Sequence, residues 1–260
     1  MTVFEAYVLR GIRKLGLDLR RYRPATSTDA QLITMLNTHN VNLIFDVGAN
    51  EGQFATQIRV AGYAGRIVSF EPLSIPGQKL LIASNKDPLW VIAPQAACGN
   101  EDGEIEIHIA GNSVSSSILE MLETHSKAAP NSSYIGSEKV ALRRLDTLAP
   151  DYLFLGAVPF IKIDTQGFED RVLQGAPDLL AKAAGLQLEL SLIPLYHGQR
   201  LYQEMIIQLN ALGFDLWSIT PAFIDQNSGR LLQIDATFFR SPSGARTPLE
   251  DLHKVNDRHN

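Results

Sequence analysis

The sequence has 260 residues, of which 45% are hydrophobic and 20% charged, and its formal net charge is −5. These values are typical of one soluble α/β domain with a sizeable core, and they exclude a general nucleic-acid binder, whose surface would be basic. The single cysteine, Cys98, excludes an internal disulfide and favours a reducing compartment. No apolar run is long enough to span a bilayer, so we expect a cytoplasmic protein.

The first 23 residues form a basic segment on an otherwise acidic protein, with six Lys and Arg side chains against two acids. Apolar residues recur there at helical spacing, which predicts an amphipathic helix within an N-terminal helical segment, residues 1–40. This helix either packs on the domain or contacts anionic lipid at the inner face of the membrane. Thr28 and Gln31 form a capping box that predicts a second, short helix.

From residue 41 to 240, strand-like and helix-like stretches alternate. The strands are NLIFDV, GRIVSFEP, WVIAPQAA, EIEIHIAG, PFIKIDTQG, GLQLELSL, FDLWSI and LLQIDATFFR, and the helices are QFATQIRVAG, PGQKLLIASN, FEDRVLQG and QEMIIQLNALG. Alternation of this kind predicts a mostly parallel sheet covered by helices on both faces. The turn-rich link DQNSGR between the last two strands predicts an antiparallel hairpin, and residues 241–260 form a polar tail.

Residues 111–137 are rich in serine and long for a loop, with a short helical stretch inside. Loops of this length in compact domains are often functional, so we expect a lid over the site. The hydroxyls of Ser115, Ser116 and Ser117 could contact a polyhydroxylated ligand or could simply solvate the loop.

The stretch IFDVGANEGQF, residues 44–54, predicts a ligand site. Ligands of open parallel sheets bind beyond the carboxyl ends of the strands, where strand order reverses. Asp46, Gly48, Asn50 and Gly52 follow such an end, where glycine lets the backbone approach a ligand and the next helix offers free N–H groups. Glu71 ends the next strand, where an acid can accept both hydroxyls of a ribose. We therefore expect an adenosine-bearing ligand.

The spacing of the glycines distinguishes between two possible cofactors, NAD and S-adenosylmethionine. A dinucleotide site usually has G-x-G-x-x-G around the pyrophosphate, whereas this chain has D-x-G-x-x-x-G, with an acid before the first glycine. A carboxylate would repel a pyrophosphate but would attract a sulfonium or an amino group. The pattern favours S-adenosylmethionine over NAD, and the alternative is a tight strand–helix turn that binds nothing.

Four stretches, FDVGANEGQF, SFEP, KIDTQGFE and LELSLIPLY, together resemble the FkbM-type methyltransferases. This family is a branch of the class I S-adenosylmethionine-dependent enzymes, and the resemblance covers roughly residues 41–240. It implies a Rossmann-like fold with a seven-stranded, mostly parallel sheet and a C-terminal antiparallel hairpin. It also implies O-methylation of sugar hydroxyls or polyketide-type products, most closely the rhamnose-type sugars of actinobacterial glycolipids. The family signature resembles K-I-D-V-E-G, and here Gln166 replaces its acid.

The resemblance assigns roles to individual positions. The methionine part of the cofactor would be held by the first turn, through Asp46, Gly48, Asn50 and Gly52. Glu71 would hold the ribose, and Ala96 and Ala97 would line the adenine at the end of the third strand. Asp164 would end the fourth strand beside the methyl group.

A sugar hydroxyl is a poor nucleophile, so a base or a metal should help to remove its proton. Asp164 is the first candidate, although it could instead cap the following helix. Glu189, within LQLELSL, is a further catalytic candidate, because a charge among apolar neighbours must be paired, metal-bound or at the open end of its strand. His197, on the loop that follows, is a second candidate base, because histidine is a common general base in enzymes. We expect Lys162 to face away from the site, or else to pair with an acid.

Asp146, Asp164 and Glu189 could together bind a divalent cation such as Mg²⁺, and Asp146 could equally be a turn or cap residue. The sequence predicts an O-methyltransferase for a sugar hydroxyl on a small molecule or glycolipid. The alternatives are a catalytically silent module that binds an adenosyl cofactor and an NAD(P) oxidoreductase.

Overall fold

The computed structural model describes residues 10, 12–17, 19 and 22–241. Within these residues, ten strands form two sheets, one of seven strands and one of three. The predicted amphipathic helix lies mostly outside the described residues, and the described part turns at Gly16, whose φ is +76°.

The first complete helix, α1, spans Thr28–Thr38 as predicted, but its cap differs from the prediction. Ser27 is extended, with φ −135° and ψ 124°, and its side chain accepts a hydrogen bond from the backbone N–H of Ala30 at 3.3 Å. Thr28 is already helical, so the predicted cap was wrong by one residue.

The central sheet has five parallel strands followed by an antiparallel pair. In spatial order the strands are β3 (Trp90–Ile92), β2 (Arg66–Phe70), β1 (Leu43–Val47), β7 (Pro159–Ile163), β8 (Gly185–Ser191), β10 (Leu231–Arg240) and β9 (Phe214–Ile224). β10 pairs antiparallel with both β8 and β9 and so runs against the other strands, and this pairing confirms the predicted hairpin. Strand order reverses between β1 and β7, so a ligand site is expected at their carboxyl ends.

Short helices connect the strands and cover the sheet. They are α2 (Gln53–Val60), α3 (Ser74–Ser84), α4 (Glu123–Ala128), α5 (Leu145–Leu148), α6 (Glu169–Gln174), α7 (Pro177–Lys182) and α8 (Tyr202–Ala211). The four helices predicted after residue 41 are present, whereas α5 and α7 were not predicted. None of the helices in the described ranges is long and apolar enough to cross a membrane.

The two faces of the central sheet differ because side chains alternate between them along each strand. One face is apolar throughout and carries the main core, with Phe45, Ile161, Leu186, Leu188, Ala236 and Phe238. The other face is apolar only near one end, where Ile44, Phe160 and Phe239 pack together. Toward the carboxyl ends of the parallel strands it becomes polar, with Asp46, Lys162, Gln187, Glu189, Asp235 and Thr237. This half-polar face positions the site.

The three-stranded sheet consists of β4 (Ala97–Cys98), β6 (Tyr134–Arg143) and β5 (Gly103–Ala110) in that spatial order. The predicted strand WVIAPQAA is therefore corrected: β3 ends at Ile92, and β4 leaves the central sheet to pair with Leu142 and Arg143. β6 was not predicted, because its mixed, half-exposed sequence lacks a clear alternation. The long segment 111–137 contains α4 and includes the first four residues of β6.

Candidate functional site

A cavity of about 430 Å³ opens at the carboxyl ends of the parallel strands. One end is lined by Gly48, Asn50, Glu71, Ala96 and Ala97, and the other by Lys162, Asp164, Gln166, Gln187, Glu189 and Asp235. Ser113, Ser116 and Ser117, from the long segment 111–137, also line the cavity. Its volume suits a small-molecule ligand.

The turn after β1 has a backbone that only small residues permit. Gly48, Asn50 and Gly52 have φ values of +77°, +48° and +90°, in the left-handed region. A Cβ added at Gly48 would lie 1.9 Å from the carbonyl oxygen of Asp164, and one at Gly52 would lie 2.7 Å from the ring of Trp90. The turn is therefore packed against β7 and β3, and its backbone is held at the cavity.

Glu71 links this turn to the end of β2. Its carboxylate accepts hydrogen bonds from the backbone N–H groups of Asn50 at 2.7 Å and Leu73 at 2.9 Å. Burial raises the pKa of Glu71 to about 7. A carboxylate offers about four acceptor positions, so Glu71 retains capacity for a ligand that donates hydrogen bonds.

Asp46 lies beneath the cavity and has no exposed surface. It accepts a hydrogen bond from the Ser69 hydroxyl at 3.0 Å, and its other oxygen lies 3.6 Å from the Lys162 ammonium. Burial raises the pKa of Asp46. Asp46 is not among the residues that line the cavity, and its predicted contact with the cofactor stays a prediction.

Lys162 lies inside the site, 3.3 Å from Asp164 and 5.6 Å from the centre of the Phe54 ring. The expectation that it faces away was wrong, because residues two apart on a strand share a face, and the alternative of pairing with an acid is confirmed. Burial alone would lower the pKa of Lys162, but the carboxylates of Asp164 and Asp46 outweigh it and raise the pKa. The lysine is therefore a fixed cation.

Gln166 joins the two carboxylates that sequence analysis selected as catalytic. Its amide nitrogen donates to Asp164 at 2.8 Å and to Glu189 at 2.6 Å, and its oxygen accepts from the Tyr196 hydroxyl at 2.8 Å. Gln233 donates to the same oxygen of Glu189 at 2.8 Å. An acid at position 166 would place a third negative charge here, so the glutamine suits this cluster.

Asp235 is a site residue that sequence analysis missed. It lines the cavity and pairs in register with Glu189 on the adjacent strand. Burial raises its pKa to about 6, and burial with the charges of Asp164 and Asp235 raises the pKa of Glu189 well above its ordinary value. The polar alternation Gln233, Asp235, Thr237 in LLQIDATFFR was the available signal.

The remaining walls come from two segments. Ala96 and Ala97 are buried in the wall of the cavity, and Ala97 belongs to β4 of the smaller sheet. That they line the adenine stays a prediction. The serine hydroxyls are used internally: Ser117 donates to the Gln166 carbonyl at 2.7 Å, and Ser116 accepts from the Ala110 N–H at 3.0 Å.

Two predicted residues lie elsewhere. His197 is exposed in a separate surface depression with Asn100, Asp170 and Arg171, so the structure does not bring it to the cavity. Asp146 accepts hydrogen bonds from the first backbone N–H groups of α7, those of Asp178 and Leu179, both at 2.9 Å. Asp146 is therefore a helix cap, which confirms the alternative to a cation ligand that the sequence offered.

This placement separates Asp146 from the other members of the predicted cation set, Asp164 and Glu189. Among the residues that the structure describes, no group of three His, Cys, Asp or Glu side chains could hold a metal ion. The lysine and the glutamine amide instead neutralise or bridge the carboxylates at the cavity. The residues therefore do not fit the predicted divalent cation.

The strand order, the terminal antiparallel pair and the glycine turn at the switch point define a class I methyltransferase fold. A model of the Methyltransferase FkbM domain matches residues 46–216, which is more than half of the chain. The chain therefore belongs to the FkbM methyltransferase family.

Several solved structures are similar to this chain at low identity. Methyltransferase FkbM from Methylobacillus flagellatus KT is 14% identical with a TM-score of 0.45, and the match covers 76% of this chain but only 44% of that one. The 1,6-didemethyltoxoflavin-N1-methyltransferase of Burkholderia thailandensis, with bound S-adenosylhomocysteine, is 13% identical with a TM-score of 0.44, covering 92% and 86%. No curated protein matches the sequence. These likenesses are too distant to bear on activity.

Proposed function

We propose that this protein is an S-adenosylmethionine-dependent O-methyltransferase that acts on a sugar hydroxyl. The observation that carries the proposal is the two-ended cavity, which has a glycine turn with a buried acceptor at one end and a carboxylate–lysine cluster at the other. Membership of the FkbM family supports methyl transfer, and the geometry supports the choice of cofactor and of reacting group.

The cofactor end fits S-adenosylmethionine. A side chain at Gly48 would collide with β7, so the turn leaves backbone groups close to the ligand. Glu71 retains acceptor positions for the ribose hydroxyls, and Ala96 and Ala97 provide a small apolar wall for the adenine. S-adenosylmethionine supplies a methyl group already activated on a sulfonium.

The charge of the cavity favours S-adenosylmethionine, which carries a positively charged sulfonium, over NAD. Four acids line it, Glu71, Asp164, Glu189 and Asp235, and Lys162 is the one Lys or Arg among its described lining residues. A pyrophosphate in this environment would be repelled, and a sulfonium or amino group attracted.

Asp164 is the proposed base. It lies at the carboxyl end of β7, where its backbone touches the Gly48 turn, and its side chain lines the cavity. Lys162 and the Gln166 amide each hold one of its oxygens, which fixes the orientation of the carboxylate. Asp164 would take the proton of the acceptor hydroxyl as the oxygen attacks the methyl carbon, while the bond between that carbon and the sulfonium sulfur breaks and S-adenosylhomocysteine leaves. Much of the remaining rate enhancement would come from alignment.

The acceptor end suits a polyhydroxylated molecule. Its walls carry amides and carboxylates, from Gln53, Gln57, Gln166, Gln187 and Glu189, which together offer many hydrogen-bond donors and acceptors. A glycolipid acceptor is the more specific proposal, and it rests on the basic character of residues 1–23 and the family resemblance.

The test is transfer of a labelled methyl group from S-adenosylmethionine to a panel of deoxysugar glycosides and glycolipids. The proposal expects labelled product with the wild-type protein, and a large loss with Asp164→Asn. Cofactor binding without transfer to any hydroxylated acceptor would favour the catalytically silent module. Tighter binding of NAD than of S-adenosylmethionine would favour the oxidoreductase.

A further inference from the structure

A second cavity of about 90 Å³ lies on the half-polar face of the central sheet, beneath α1 and α2. Its polar lining comes from α1, α2, β8, β9 and β10, through Gln31, Gln57, Gln187, Ser218, Thr220 and Thr237. Sheet surface under helices is normally apolar, so this polar lining calls for a ligand or water to complete its hydrogen bonds.

The second cavity continues the first. The two share four lining residues, Phe54, Gln57, Gln187 and Asp235. Lys162 and Asp164 line the first cavity, and the Lys162 ammonium lies 5.6 Å from the centre of the Phe54 ring, at this junction. A molecule whose reacting hydroxyl lies at Asp164 can therefore extend past Gln187 toward α1.

The polar groups of the second cavity are only partly used by the protein. Gln187 donates to the Thr237 hydroxyl at 3.3 Å, and Gln57 donates to Asp29 at 2.7 Å through its amide nitrogen. The Ser218 hydroxyl donates to the Gln31 amide oxygen at 3.1 Å. Each glutamine has two donor hydrogens and a carbonyl with two lone pairs, so each has capacity left. Hydroxyl groups, which both donate and accept, match this set.

Charge restricts the ligand further. Among the described residues that line the two cavities, Lys162 is the sole Lys or Arg, and it is already paired with Asp46 and Asp164. Asp29 and Asp235 line the second cavity, so a phosphate there would meet negative charge without an available cation. The lining fits a neutral hydroxyl-bearing group and opposes a sugar phosphate or nucleotide-linked sugar.

We propose that the second cavity is an acceptor subsite that binds a neutral, hydroxyl-bearing part of the acceptor beside the hydroxyl that is methylated. The proposal rests on the proposed function and adds the charge of the acceptor and the residues that select it. Gln57, Gln187 and Thr237 are specificity-determining residues under this proposal, and Gln57 and Gln187 line both cavities.

The test follows the side-chain amide signals of Gln57 and Gln187 by NMR while the cofactor-loaded protein is titrated with sugars. Methyl α-L-rhamnopyranoside is the neutral probe and glucose 1-phosphate the anionic one. The neutral probe should shift both amide signals, and the phosphate should bind at least tenfold more weakly. Gln187→Leu with Thr237→Val should weaken binding of the neutral probe at least tenfold. Gln57→Met should do the same, and because it changes an exposed residue it leaves the core intact.

Gln78→Leu, on the exposed surface of α3, is the matched control and should change nothing. All variants should keep wild-type affinity for S-adenosylmethionine. If the cofactor binds but neither amide signal moves with the neutral probe, or if glucose 1-phosphate binds as well, the subsite proposal is overturned while the proposed function stands. If S-adenosylmethionine itself does not bind, the proposed function fails.

Discussion

The two ends of the cavity are built from different groups. At the end near β1 and β2, backbone atoms in a tight turn and one buried carboxylate, Glu71, face the ligand. At the end near β7, β8 and β10, the ligand would meet side chains, among them Asp164, Glu189, Asp235 and Lys162.

This difference determines which positions of the cavity tolerate substitution and which do not. The cofactor end depends on backbone geometry that a single added carbon would disrupt, so it tolerates little change. The acceptor end is a set of side chains on rigid strands, and substitutions there can change the acceptor without moving the sheet. Substitutions at the two ends of the cavity test this difference separately.

The largest effect is expected at the turn. Gly48→Ala would place a Cβ 1.9 Å from the Asp164 carbonyl oxygen at a φ of +77°, so the turn or β7 must move. Backbone strain and overpacking together should cost roughly 2–6 kcal/mol of unfolding free energy and abolish cofactor binding. Denaturant unfolding and calorimetric titration measure the two effects.

Gly229→Ala is the matched control, because Gly229 has a φ of +72° and no atom within 4 Å of the added carbon. It should cost about 1 kcal/mol and leave cofactor affinity unchanged. Equal losses in the two variants would show that packing at the Gly48 turn is unimportant.

The next largest effect is expected at the acceptor end. Asp164→Asn should lower kcat about 10²–10⁴-fold, because it removes the base, while cofactor affinity changes little. His197→Gln should leave kcat unchanged, since His197 lies outside the cavity. Steady-state kinetics measured across pH tests whether Asp164 is the base. If Asp164→Asn keeps a turnover near that of the wild type, the role of Asp164 is structural.

Glu71→Ala should weaken S-adenosylmethionine binding by about 1–3 kcal/mol, through loss of charge-assisted hydrogen bonds to the ribose. Glu51→Ala, which removes a carboxylate paired with Lys79 outside the cavity, is the control and should have little effect. Calorimetry that shows the same affinity for wild type and Glu71→Ala would remove Glu71 from the ligand site.

Cofactor affinity should fall as the pH is lowered through about 7. Burial raises the pKa of Glu71 to about 7, above its ordinary value near 4.5, so the free protein is partly protonated there at neutral pH. Binding needs the carboxylate, so affinity should drop by up to about tenfold for each pH unit below 7 and level off above 8. Glu71→Gln should remove most of this dependence, and an unchanged slope in that variant would assign it to another group.

The free energy of unfolding should depend on pH in the opposite direction from cofactor affinity. The raised pKa of Glu71 disfavours its charged form in the free protein, so its contribution to unfolding free energy is most favourable below about pH 4.5 and is lost as the pH rises through 7. Glu169, whose pKa burial also raises to about 7, acts in the same direction. Thermal unfolding with and without cofactor should show a smaller pH dependence when the ligand is bound.

The smallest effect is expected from the N-terminal segment. Removal of residues 1–23 should leave cofactor affinity unchanged but lower activity on a glycolipid in anionic vesicles more than on a soluble glycoside. Each basic residue near the surface contributes about 1 kcal/mol at most, and salt screens the attraction. Full-length protein that does not sediment with anionic vesicles at low salt would contradict membrane contact.

The cofactor end could be predicted from sequence because its signals are local. The turn from Asp46 to Gly52 is contiguous, and Glu71 follows the next strand in the same way. The central sheet and its final hairpin were predicted from alternation and turn composition. By contrast, α7 was missed because it is a six-residue helix that begins just after α6.

The acceptor end depends on strand pairing across long stretches of sequence. Asp235 reaches the site because β10 pairs with β8 in a register that sets it opposite Glu189, and neither strand alone reveals that register. His197 follows β8 closely in sequence, yet its loop turns toward the outer surface. The position of Lys162 could have been predicted correctly, because Lys162 and Asp164 are two residues apart along the strand and so lie on the same face of the sheet.

The most direct test of the central claim is a calorimetric titration of the wild-type protein with S-adenosylmethionine and, separately, with NAD at pH 8 and pH 6. Our account predicts one S-adenosylmethionine per chain, bound more tightly than NAD and at least several-fold more tightly at pH 8 than at pH 6. Tighter binding of NAD, or no binding of S-adenosylmethionine at either pH, would contradict it.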